Sequence, residues 1–205
     1  MMRLSKSYPL ALMVAIISQA TMGAAPTEQA DATPATASST TNGSVQAENI
    51  SMWSFFQDVH IKEITKSGNG MAVLTGDVGL AQPVAVNLLA YIQQATEDQS
   101  TWFEGQRKTF CANVAQNAPE SVLAAELSLL QQQNHELSLS RVEELPSVID
   151  SQSLSTLQQW VTTWSKAEHE RRMQAAGITS SPGIPKDQAD AKFIQILKAQ
   201  CSEIS

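Results

Sequence analysis

The chain has 205 residues, a net charge of −7 and only two cysteines. Its basic residues form no cluster, which argues against a nucleic acid or an anionic membrane surface as partner. The composition supports one packed domain behind an export signal, and the elements below are taken in chain order.

Arg3 and Lys6 precede an apolar run, Leu10 to Ile17, and small residues follow at Ser18, Ala20, Gly23, Ala24 and Ala25. That order is the chemistry of a cleavable signal peptide, expected over 1–24. The run is too short to span a bilayer, which takes about 20 residues. No later segment holds a comparable run, so the mature chain is expected to be soluble, without a transmembrane segment, and periplasmic or secreted. Without Arg3 and Lys6 its charge of −7 becomes −9.

Residues 25–49 are rich in Ala, Thr, Ser and Pro, with Val45 the one large apolar residue before the folded part. Such a stretch buries too little surface to offset chain entropy, so it reads as a disordered leader. The folded domain is expected over 50–205, roughly 155 residues, enough for a sizeable core.

Ser51 caps an expected helix with Met52, Phe55, Phe56 and Val59 on one side. From Val59 the pattern alternates, and Lys66 to Gly70 supplies turn residues before Met71 to Thr75. That predicts a small β-hairpin over 59–78, with a helix running through residue 65 as the competing reading.

Pro83 suits a first helical turn, and Val84, Leu88, Ile92 and Ala95 form a stripe. Thr96 to Ser100 reads as an interruption. Thr101 and Glu104 then form a capping box for a helix carrying Trp102, Phe103, Phe110, Cys111 and Val114. Asn117 and Glu120 signal the next start. Leu123, Leu127, Leu130, Asn134 and Leu137 recur at steps of four and three, with Val122 and Leu129 widening the apolar face. Ser140 and Glu143 open a short turn ended by Pro146.

A helix from about Leu154 to Ala176 carries Leu154, Leu157, Val161 and Trp164, with Trp160 at the edge of its apolar face and Gly177 as its cap. After Pro185, the residues Ala189, Phe193, Leu197 and Cys201 fall at steps of four. Cys201 and Cys111 therefore both point toward the core. In an exported chain, two such cysteines on separate helices are expected as one disulfide, Cys111–Cys201. The expected fold is mainly α, a disulfide-tied bundle of about five helices.

Catalytic signatures are missing from the sequence. It has no Gly-x-Ser-x-Gly, His-Glu-x-x-His, Walker loop or Cys-x-x-Cys. The residues three before His60, His135 and His169 are Gln57, Gln132 and Lys166, so the Glu-x-x-His pairs of a helical di-metal site are absent. No catalytic, metal or cofactor residue is assigned. Trp160 is the candidate partner contact, because an indole at the edge of an apolar face suits an interface.

Two short stretches resemble known motifs. Leu154-Ser-Thr-Leu-Gln158 is similar to the Leu-Thr-x-x-Gln motif of Spy-type periplasmic chaperones, with Ser155 in place of threonine, and Leu127-Ser-Leu-Leu-Gln131 matches equally well. Leu74-Thr-Gly-Asp-Val78 resembles the strand–turn–helix of BON domains. Each covers a handful of residues, and neither assigns a family. The expected function is a non-catalytic interaction with another envelope or secreted protein, as adaptor, chaperone or immunity protein. The alternatives are a small exported hydrolase using scattered Glu and His, or a binder of a small apolar ligand.

Overall fold

In the computed structural model, residues 40–65, 69–175 and 186–201 are described. The expected signal peptide, the leader up to residue 39, Gly177 and Pro185 lie outside them. The fold is mainly α, and no strand occurs among the described residues. Its helices are α1 (Thr40–Thr65), α2 (Gly70–Ala72), α3 (Gln82–Ala115), α4 (Glu120–Glu143), α5 (Leu145–Val148), α6 (Ser151–Ala175) and α7 (Lys186–Cys201). Among the described residues, six of these have four or more residues, against the expected five or so.

α1 is the pillar. It packs against α2, α3, α4 and α6, and a helix with four neighbours needs a wide apolar face. Met52, Trp53, Phe55, Phe56 and Val59 provide it, all of them buried. α1 starts at Thr40, so residues 40–49, expected within the leader, are helical.

The expected hairpin over 59–78 is not there. α1 continues to Thr65, as the competing reading had it, because Val59 extends the helical spacing of Phe55 and Phe56. Asn69 acts as a helix cap and not as a hairpin turn. Its Oδ1 accepts the backbone N–H groups of Met71 (2.9 Å) and Ala72 (3.3 Å). α2 then widens into a π-helical turn, Val73–Asp77, closed by the Val78 N–H on the Val73 carbonyl at 2.9 Å. Val73, Leu74 and Val78 are all buried by that wider turn. The segment that resembled a BON strand is therefore helical. Gly79, at φ +81°, redirects the chain into α3.

Gly70 is fixed by contact. A Cβ there would lie 2.8 Å from the Val59 carbonyl oxygen and 3.1 Å from Glu63 Oε2. Gly70→Ala is expected to push α2 off α1 and cost about 1–3 kcal/mol. Gly105 is exposed inside α3, and a Cβ added there would meet nothing within 4 Å. Gly105→Ala should instead stabilise by about 0.5–1 kcal/mol through helix propensity. Urea midpoints of the two variants should move in opposite directions, and equal shifts would contradict this packing.

α3 is a single helix of 34 residues, without the expected interruption at 96–100. It ends at Asn117, whose φ of +56° places it in the left-handed region, so Asn117 terminates α3 and Pro119 precedes α4. α3 and α4 form an antiparallel pair whose interior divides into two apolar clusters. The first contains the α1 aromatics with Leu74, Leu88, Ile92, Val142, Leu145, Leu157 and Val161. The second contains Phe103, Phe110, Leu123, Leu127 and Leu130 from α3 and α4, with Phe193, Ile194 and Leu197 from α7.

Thr96 and Gln99 explain why polar residues do not break α3. The Thr96 hydroxyl donates to its own helix at Ile92 O (2.6 Å). Gln99 Nε2 lies 2.6 Å from Asn134 Oδ1 and 3.3 Å from Ser138 Oγ. Ser138 in turn donates to the Asn134 carbonyl at 2.8 Å. A satisfied polar layer thus stands between the two clusters and fixes the register of α3 on α4. Near its far end the pair is pinned by Tyr91, whose hydroxyl lies 2.5 Å from the Arg141 carbonyl and 2.9 Å from Glu144 Oε2.

On α4, Leu123, Leu127, Leu130 and Asn134 face inward as their spacing predicts. Val122 and Leu129 do not widen that face. They are 46% and 54% exposed, on the solvent side.

Candidate functional site

α7 meets the end of α3 at the bridge. Cys111 and Cys201 form a disulfide with Cα atoms 5.2 Å apart, spanning 90 residues of chain. Both cysteines sit half-buried at the edge of the second cluster, which includes Phe110 and Leu197. The role is structural.

α6 carries the other sequence-assigned residue. The helix begins at a cap made by Asp150, whose Oδ1 accepts the N–H groups of Gln152 (3.0 Å) and Ser153 (2.9 Å). Those bonds, with the Ser153 hydroxyl on Oδ2, hold the Asp150 carboxyl below its usual range. The Leu154–Gln158 stretch thus lies inside the helix. α6 packs on α1 and α5, leaving much of its surface to solvent. Its inner edge is aromatic. Trp160 lies 4.8 Å from Phe55, ring centre to ring centre, and Trp164 lies 5.4 Å from Phe55. The two indoles stack at 6.4 Å with 19° between their planes. Both remain half-buried, so Trp160 closes the side of the first cluster and still keeps part of its ring at the surface.

Between them, α1 and α6 also form an open cleft of about 180 Å³, which neither indole lines. Its floor is apolar at Met52 and Val161, and hydroxyls line it at Ser51, Thr162 and Ser165. Ser51 Oγ and Ser165 Oγ are 3.1 Å apart, linking the two helices. Glu48 and Lys166 add one charge of each sign. Local pattern does not foretell this cleft, because Glu48 and its neighbours fall in a stretch without large apolar residues. It offers hydrogen bonds and charge over an apolar floor, the ingredients of a recognition surface.

The histidines do not build a catalytic constellation among the described residues, where no group of three His, Cys, Asp or Glu could hold a metal ion. The His169 side chain lies outside the described residues, and His135 is half-buried on α4. His60 is half-buried on α1, with a buried Nδ1 that has no hydrogen-bond partner. Burial lowers its pKa from the ordinary 6.5, against an opposing pull from the Glu97 charge. The folded state therefore binds this proton less readily than the unfolded chain. The resulting stability is present above pH 6.5 and is lost as pH falls through the lowered value. His60→Gln should flatten the melting profile on the acid side of pH 6.5. Parallel profiles for the two proteins would contradict that assignment.

No family model, no curated protein and no solved structure matches this chain.

Proposed function

We propose that this chain is an exported protein-interaction module of the cell envelope, of the adaptor, chaperone or immunity type. Its partner docks along the outer edge of α6. The observation that carries the reading is the stacked Trp160–Trp164 pair on α6, partly open to solvent. Rigid indoles flanked by polar groups are what protein interfaces concentrate at their anchors. Export is supported by the charge, apolar run and small residues of the first 25 positions, and a disulfide accords with an oxidising compartment.

Site-specific photocrosslinking in the native host tests it. A crosslinker at the exposed Thr163 should capture one discrete foreign protein, whereas one at the exposed Gln132 of α4 should not. Trp160→Phe keeps an aromatic ring against Phe55 and removes the indole, and it should weaken the capture. Equal capture from both positions, or capture of this chain alone, would sink the reading.

A further inference from the structure

We infer that α7 is a strap latched by the Cys111–Cys201 bridge, and that a dithiol reductant releases it while the first cluster stays folded. The division of the interior is the starting point. The buried layer of Gln99, Asn134 and Ser138 separates the cluster around α1 from the cluster around Phe103 and Phe110. Among the described residues, the side chains that α7 buries belong to the second cluster, and it packs on α3 and α4. Its loss takes no described side chain from the first cluster, which is built around α1.

The grip of α7 without the bridge is modest. Phe193, Ile194 and Leu197 are its buried apolar anchors. Polar ties to α4 among the described residues include Gln131 Nε2 to Asp190 Oδ1 at 3.0 Å and Lys198 Nζ to Glu120 Oε1 at 3.4 Å. The second is a surface contact, with the Glu120 side chain 87% exposed, and such pairs contribute little. A helix of 16 residues is itself marginal in water. The covalent link is therefore what keeps α7 at this face whenever those contacts open, and both of its cysteines lie at a half-exposed edge.

The chemistry balances simply. A thiolate of the dithiol attacks one sulfur and forms a mixed disulfide, and the displaced cysteine thiolate takes a proton. The second thiolate of the reductant then displaces the other cysteine and closes a cyclic disulfide. Cys111 and Cys201 end as thiols and the dithiol ends oxidised. Departure of α7 uncovers Phe103, Phe110, Leu123, Leu127 and Leu130, an apolar groove between α3 and α4. The occupant that fits it is an amphipathic helix with anchors four residues apart, as Phe193 and Leu197 are on α7.

Hydrogen exchange on the full chain tests the latch, oxidised and after dithiothreitol without denaturant, with thiols counted in parallel. Reduction should speed exchange at least tenfold across the peptide 190–201, leave the α1 peptide 50–59 unchanged, and reverse on reoxidation. Cys201→Ser should reproduce the reduced pattern. Protection of 190–201 that survives reduction would overturn the inference. So would a bridge that resists dithiothreitol in the folded protein, or loss of protection in both peptides together. None of these outcomes bears on partner capture at α6.

Discussion

Phe56→Ala is expected to lower the free energy of unfolding by about 3–5 kcal/mol, read from urea denaturation. Phe56 is fully buried on α1, 6.2 Å from the rings of both Trp53 and Phe55. Three long helices and the short α2 pack around α1, so the hole left by the ring cannot close by the shift of a single neighbour. That places the cost toward the upper end of the range. Typical domains are stable by only about 5–15 kcal/mol, so the variant should be near its unfolding threshold. Leu129→Ala serves as the control, since Leu129 is exposed and its loss should stay within about 0.5 kcal/mol. A Phe56 effect as small as that of Leu129 would remove α1 from the centre of the fold.

Cys201→Ser carries the second large effect. The bridge closes 90 residues of chain, and loop-entropy estimates give an upper figure of about 4–5 kcal/mol for such a link. Most of that stabilisation acts on the unfolded chain, so the apolar contacts of the first cluster should be unchanged in the variant. The expected result is a clearly lower urea midpoint, with signals from Trp102 at the second cluster changing before those from Trp53 in the first. A midpoint equal to that of the parent protein would mean that the bridge adds nothing.

The disulfide was legible because each cysteine keeps register with apolar neighbours, Cys111 with Phe110 and Val114, and Cys201 with Phe193 and Leu197. Proximity of the two sulfurs required only that both helices turn those faces to one core. The α4 stripe was equally legible, down to Asn134 in an inward position. What escaped was information held in partners distant along the chain. Thr96 and Gln99 read as a break because polar residues inside an apolar stripe usually mark a loop. Thr96 is satisfied within its own helix, and the meaning of Gln99 appears only when Asn134 and Ser138 are placed opposite it. Asn69 and Gly70 carry turn chemistry that serves a hairpin or a helix start, and local pattern does not separate the two. The close approach of Gly70 to the Val59 carbonyl decides it. Val122 and Leu129 satisfy the apolar spacing, yet no neighbouring helix covers them. The cleft depends on where α6 lies along α1, a lateral placement that no sequence period encodes.

The central claim is an exported helical domain held by one bridge, and a single intact-mass measurement on protein from its native host addresses it. The sample is prepared under non-reducing, denaturing conditions with a thiol-blocking reagent. The account predicts a chain that lacks about the first 20–25 residues, carries no blocking group and is two hydrogens lighter than the dithiol form. A full-length chain carrying two blocked thiols would contradict it.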